Sequence, residues 1–226
     1  MSVLCLKNVS KSFVSGQDSV TVLNNVNFEL NEGECVALIA PSGSGKSTLL
    51  QISATLDKPT SGSVWICNKN VSAMSDDEKS SMRAKYLGFV YQFHNLLPDF
   101  TALENVIMPL LICGAPKNKV KEEATELLIQ MGLEHRINNK PTQLSGGEQQ
   151  RISIARALIN KPKIIFADEP TGNLDPTTAS KVFYLLMQYV SYYKCAIMMA
   201  THNMELAYKL NRQVTIANGN LLEVHK

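Results

Sequence analysis

The sequence lacks the cysteine spacing that a disulfide framework or a zinc site requires. Its five cysteines, Cys5, Cys35, Cys67, Cys113 and Cys195, are scattered, odd in number and never spaced as C-x-x-C, so they read as reduced thiols of a cytosolic protein. Several lie in apolar runs such as "ECVALIA" and "KCAIMMA", where cysteine serves as a small hydrophobe. An excess of one charge is missing too. Twenty-two basic residues face 20 acidic ones, for a formal net charge of +2, with no long run of either sign. That leaves no electrostatic footprint for nucleic acid as a partner. No apolar run approaches the roughly 18 residues that cross a bilayer, and the opening "MSVLCLKNVSKSF" has no basic start followed by an apolar block. The chain is therefore expected not to be inserted itself, and any work at a membrane needs another subunit to hold it there. Internal repeats, low-complexity linkers and heptads are also lacking, which leaves no sign of tandem domains or coiled-coil insertions.

What is present is a chain of 226 residues, 45% of them hydrophobic, enough for one large domain or two small lobes. Short β-rich runs alternate with helical patterns: "VLCLKNV", "VNFEL", "CVALIA", "SVWICN" and "LGFVYQ", then "KIIFAD", "CAIMMA", "QVTIAN" and "LLEVH". Unbroken apolar strands such as "CVALIA", "KIIFAD" and "CAIMMA" suit a parallel sheet covered on both faces. In "DPTTASKVFYLLMQYV", Val182, Leu185, Leu186, Tyr189 and Val190 share one helical face, with Asp175 as cap and Pro176 in the first turn. In "KVKEEATELLIQMG", Val120, Ala124, Leu127, Leu128 and Met131 do the same, and Gly132 supplies a stop. The stretch from about 72 to 140 reads as helical and interrupts the α/β alternation, as a separate helical lobe would.

A strand running into "PSGSGKSTLL" is the context in which a phosphate-binding loop is credible. Gly43 and Gly45 let backbone N–H groups turn inward around phosphate oxygens, and the next helix aims its positive end at the same charge. Lys46 would reach the β and γ phosphates, and the Ser47 hydroxyl would ligate Mg²⁺. "KIIFADEP" is an apolar strand ending in two carboxylates: Asp168 to hold Mg²⁺, and Glu169 to polarise the attacking water. Adjacent strand residues point to opposite sides, so both can face one ligand only if the strand ends there, which Pro170 is expected to enforce. "QLSGGEQQRISIARAL" holds a second anion-binding helix start, with apolar face Ile152, Ala155, Leu158 and Ile159. One γ phosphate needs one such loop, so the second points to a nucleotide held by another copy of the chain. An ordinary capped helix is the plainer alternative, since Ser145 and Glu148 have capping-box spacing.

With the phosphate loop, "LSGGEQQR", "DEP", "GNLD" and "THN" in this order, the chain resembles the nucleotide-binding domains of ABC transporters from about residue 3 to 225. The resemblance implies an α/β fold of the P-loop NTPase class: a RecA-like core with an antiparallel β portion, over 1–91 and 160–226, plus a helical lobe over about 92–159. It implies ATP and Mg²⁺, with ATP held by Phe13, Ser42, Gly43, Ser44, Gly45, Lys46, Ser47 and Thr48. Mg²⁺ falls to Ser47, Gln92 and Asp168, and catalysis to Glu169, Gln92 and His202. Ser145, Gly146, Gly147 and Asp175 would serve the nucleotide of the opposite subunit in a head-to-tail homodimer. Phe13 matches an adenine-stacking aromatic, with a core phenylalanine as the alternative. Asn203 stands where the family usually has Asp, which bears on how His202 is oriented.

The segment "QFHNLLPDFTALENV" with "ADEPTGNLD" is similar to the ATPase subunits of lipoprotein-releasing transporters. That resemblance implies a peripheral protein on the cytoplasmic face of a bacterial inner membrane, paired with two integral membrane subunits of LolC/LolE type and acting on lipoprotein cargo indirectly. A related macrolide-export or cell-division ATPase is the alternative.

The phosphate loop departs from its usual spelling only at its first slot, where Ala40 replaces glycine. Pro41 pushes the residue before it toward extended geometry, which alanine adopts without strain. Ala40→Gly is therefore expected to leave ATP affinity nearly unchanged in a binding titration. A tenfold tightening, about 1.4 kcal/mol, would show that the methyl group obstructs the loop.

Overall fold

The computed structural model describes residues 1–16 and 18–224. Two sheets share the chain. Strands β1 (Ser2–Ser15), β2 (Asp18–Asn31), β4 (Ser61–Ile66) and β5 (Lys69–Asn70) form an antiparallel sheet in the order β2-β1-β4-β5. The second sheet runs β10-β9-β3-β8-β7-β6, built from β3 (Cys35–Leu38), β6 (Leu87–Val90), β7 (Ile164–Asp168), β8 (Ala196–Ala200), β9 (Arg212–Ala217) and β10 (Asn220–Glu223). All its pairings are parallel except β9 with β10. The first hairpin is longer than its apolar runs suggest, with register shifts along β1 and β2. In the expected strand "LLEVH", His225 lies outside the described residues.

The unbroken apolar strands have the cause inferred from their pattern, for each face of the parallel sheet lies in its own core. Ala37, Ile165, Ala167, Ile197 and Met199 pack with one set of helices. Their neighbours Val36, Leu38, Ile164, Phe166, Met198 and Ala200 pack toward the antiparallel sheet, as a two-residue strand period requires. Helix α1 (Lys46–Ser53) belongs to the second core through Leu49, Leu50 and Ile52.

Helix α2 (Asp76–Tyr86) is followed at once by β6, so the helical reading of 72–140 is broken by a strand of the parallel sheet. The short run "LGFV" joins β7 and separates α2 from the later helices. These are α3 (Ala102–Ile112), α4 (Lys117–Gln130) and α5 (Gly146–Leu158). Their buried Val106, Ala124, Leu128 and Ile152 share one core with Ile165 and with Phe183 of α6 (Pro176–Tyr193). All five residues expected on the α4 face are buried, and Gly132 comes next after Met131 with φ +69°. On α6, Leu185 and Tyr189 are only partly buried, whereas Phe183, outside the expected face, is fully covered. Asp175 caps α6 by accepting hydrogen bonds from the Thr177 and Thr178 amides, each at 3.1 Å.

Helix α5 lies close against β6 because position 88 has no side chain. A β carbon on Gly88 would sit 2.5 Å from the Ala157 carbonyl oxygen of α5. Gly88→Ala must therefore push α5 outward, and a loss of about 1–3 kcal/mol in stability is expected. Urea unfolding of the variant beside the parent measures it, with a shifted midpoint and an unchanged slope.

Candidate active site

The ends of β3, β7 and β8 open onto a cleft of about 530 Å³. The chain leaving β3 turns through residues 39–45 into α1, and two glycines make the turn. Gly43 and Gly45 have φ of +80° and +101°. At Gly45 a β carbon would also lie 2.7 Å from Val22 Cγ1, so no other residue fits. Gly45 caps α1 in the left-handed region, and the unpaired first-turn amides of α1 start beside the cleft. Ala40 is buried and is not among the positive-φ residues, as expected before proline. Lys46 Nζ donates to the Ala40 and Pro41 carbonyls at 2.6 and 2.9 Å, leaving one of its three N–H bonds for a ligand.

Across the cleft, Asp168 ends β7 and accepts a hydrogen bond from Ser47 Oγ at 2.9 Å. The next residue, Glu169, keeps one more ladder bond, its amide to the Ala200 carbonyl at 2.9 Å. There the strand stops, because Glu169 has φ +48° and its carbonyl closes a turn with the Gly172 amide at 3.0 Å. The break therefore lies in the Glu169 backbone, one residue before Pro170. The strained backbone lets both carboxylates line one cleft. Glu169 is largely buried and exposed His202 holds it: Nδ1 stands 2.9 Å from Glu169 Oε2, which also accepts the His202 amide at 3.3 Å. With Nδ1–H given to the carboxylate, His202 can also donate through Nε2 only as the imidazolium.

Asn203 does not orient His202. Its side chain accepts the Leu206 amide at 3.2 Å, capping α7 (Met204–Ala207), and its own amide donates to Thr201 Oγ1 at 3.1 Å. Gln92, just beyond β6, also lines the cleft, and its Nε2 donates to Asn173 Oδ1 at 3.2 Å. Asn173 Nδ2 returns a bond to the Gln92 carbonyl at 3.1 Å. "GNLD" contained Asn173, but only its Asp175 suggested a role.

Ser42, Gly43, Gly45, Lys46, Ser47, Thr48, Gln92, Asp168, Glu169 and His202 thus border one cleft, together with Val22, which no motif pointed to. The other expected residues lie elsewhere. Ser44 turns inward, its Oγ buried without a hydrogen-bond partner. Phe13 is 46% exposed on β1, with Lys11 Nζ 5.0 Å from its ring centroid, so it is not a core residue. Ser145, Gly146 and Gly147 start α5 away from this cleft, beside the start of α6, where a β carbon on Gly147 would meet Thr178 Cγ2 at 2.7 Å. The capping box is complete: Ser145 Oγ accepts the Glu148 amide at 3.3 Å, and Glu148 Oε2 accepts the Ser145 amide at 2.8 Å.

The donor set suits a small hard cation. Ser47, Asp168 and Gln92 offer oxygen only, and among the described residues no group of three or more His, Cys, Asp or Glu could hold a metal alone. Mg²⁺ is commonly held by one or two protein oxygens together with substrate phosphates. Past Gln92, Phe93, Leu97 and Phe100 are exposed. The loop carrying them is fixed from below by Asn105, fully buried on α3, which bonds to the Leu97 amide and to the Leu97, Phe100 and Thr101 carbonyls at 2.8–3.2 Å.

Residues 23–172 match the family model described as ABC transporter. A lipoprotein-releasing system ATP-binding protein LolD of Rickettsia felis is 51% identical over 220 residues, 97% of either chain. A protein of the same name from Nitrobacter hamburgensis is 47% identical, over 98% of this chain and 96% of that one. The fold superposes on a dimeric ATP-binding cassette bound to ADP and Pi in a post-hydrolysis state, with a TM-score of 0.90, 40% identity and 99% of both chains covered.

Glu148 gives the α5 start a pH signature. Hydrogen bonds from Ser145, then the Arg136 guanidinium at 2.8 Å, hold its carboxyl down at about 2 against an ordinary 4.5. A depressed carboxylate stabilises the fold above its unfolded pKa, and that contribution fades as pH falls from about 4.5 toward 2. Glu148→Gln should cost on the order of 1–2 kcal/mol at pH 7 and progressively less below pH 4. Paired denaturant titrations at several pH values check it.

Proposed function

The chain belongs to the ABC transporter family, and on that footing we propose that it is the ATP-hydrolysing subunit of a transporter that releases lipoproteins from the inner membrane toward the outer membrane. The observation that carries the ATPase reading is the meeting of a phosphate loop, the Ser47–Asp168 pair and the Glu169–His202 pair in one cleft. The lipoprotein reading is supported by relatives of that name at 46–51% identity along nearly the whole chain.

In this reading the α1 amides and the remaining Lys46 N–H hold the phosphate oxygens, and Phe13 stacks on the adenine. Ser47, Asp168 and Gln92 would hold Mg²⁺, which would supply positive charge against the phosphates. Glu169 takes a proton from water as that oxygen bonds to the γ phosphorus and the bond to the ADP oxygen breaks. His202 fixes the carboxylate for this step and senses the γ phosphate. Ser145, Gly146 and Gly147 bring the positive end of α5 to the nucleotide of a second copy, with Asp175 at the same interface. The helical region 92–159 serves as the lobe that carries this start. Two integral membrane subunits of LolC/LolE type seat on the exposed loop after Gln92 and hold the chain at the cytoplasmic face. No helix among the described residues is long and apolar enough to cross a membrane itself.

Purified Glu169→Gln should bind ATP, accumulate as a dimer in size-exclusion chromatography, and hydrolyse at least about 100-fold more slowly than the parent. Equal turnover by the two proteins would remove Glu169 from its role. Co-purification from detergent-solubilised inner membranes tests the partner assignment, with integral subunits of a lipoprotein-releasing system expected in the complex.

A further inference from the structure

The loop that carries Gln92 is fastened to α5 by side chains that take no part in the proposed hydrolysis. Gln150 is 1% exposed in the middle of α5. Its Oε1 accepts a hydrogen bond from His94 Nδ1–H, and its Nε2 donates to the Tyr91 carbonyl at 3.4 Å. Further along the helix, Arg156 donates to the Asn95 and His94 carbonyls at 2.7 and 2.9 Å. Tyr91 precedes Gln92 and His94 and Asn95 follow it closely, so the backbone on both sides of this glutamine is tied to the helix that begins at Ser145. A buried amide is costly unless bonded, and leucine would fill the same space without that requirement.

We propose that Gln150, acting through His94, is a positioning residue for Gln92: it fixes the Gln92 loop in register with α5, so that the loop and the Ser145–Gly147 start move as one body. The proposal rests on the ATPase reading. Gln150 touches no substrate. Its effect passes through Gln92 and is felt in turnover, because Gln92 meets the metal and the attacking water, while the phosphate loop that sets ATP affinity is untouched.

The experiment measures steady-state hydrolysis by the full chain. Gln150→Leu and His94→Phe are each expected to lower kcat about tenfold, with KM for ATP within about twofold of the parent. His94→Asn, whose amide nitrogen occupies the place of Nδ1, should retain kcat within about twofold. In a Gln92→Ala background neither Gln150→Leu nor His94→Phe should reduce kcat further, since a residue that acts only through Gln92 has nothing left to position. Additive losses in that background, or equal losses in His94→Asn and His94→Phe, would overturn the proposal while leaving the ATPase reading intact. Should Gln150→Leu fail to fold, His94 at the half-buried end of the bond carries the same test. A parent that does not hydrolyse ATP at all would overturn the ATPase reading, and this inference with it.

Discussion

Consecutive residues of a strand point to opposite faces, yet Asp168 and Glu169 line the same cleft. The chain resolves the conflict by ending β7 at Asp168 and forcing Glu169 to φ +48°, a conformation costly for a residue with a β carbon. The surroundings enforce it. The Glu169 amide is tied to Ala200, its carbonyl to Gly172, and its carboxylate to both the backbone and the ring of His202. Those anchors sit on β8 and on the following turn, so the strain at one residue is distributed over two adjacent strand ends. The parallel sheet is needed because it brings three such ends to one edge, and its two apolar cores hold them there.

A second constraint is that one copy holds two glycine-marked helix starts facing different places. The α1 start opens on the cleft, whereas the α5 start is packed beside Leu174 and Thr178. The α5 start is built to persist when nothing is bound, with its cap, its Glu148 and Arg136 all satisfied within the chain. The start of α5 is therefore capped by hydrogen bonds within its own chain. Gly88 adds to this by letting α5 lie on the sheet at backbone contact.

Most of this was legible in the sequence where local chemistry decides the outcome. Gly45, Lys46, Ser47, Asp168 and Glu169 announced themselves because a strand, a glycine turn and a helix start occupy consecutive residues. The α4 face and the Asp175 cap were readable from spacing alone. Gln150 and Val22 were invisible for the opposite reason, since their neighbours lie far away along the chain or across the cleft, and Asn105, whose partners are only four to eight residues back, was hidden because an isolated asparagine carries no periodic signal. Phe183 escaped because the buried stripe of α6, formed by Ala179, Val182, Phe183, Leu186 and Val190, is rotated from the expected face toward Phe183. The short run "LGFV" showed a strand, but not that it would divide the helical stretch and place α2 against the second core. Pro170 looked like the strand breaker, and the backbone of the residue before it had already made the turn.

Asn105 gives the loop after Gln92 an unusual character for an exposed segment. Four backbone groups spread over residues 97–101 converge on one buried amide, while the loop displays Phe93, Leu97 and Phe100 to solvent. A loop supported only at its two ends would have many backbone conformations to give up on being covered. Pinned to α3 at Leu97, Phe100 and Thr101, this one has few left to lose, so covering its apolar side chains costs less ordering entropy than covering a free loop.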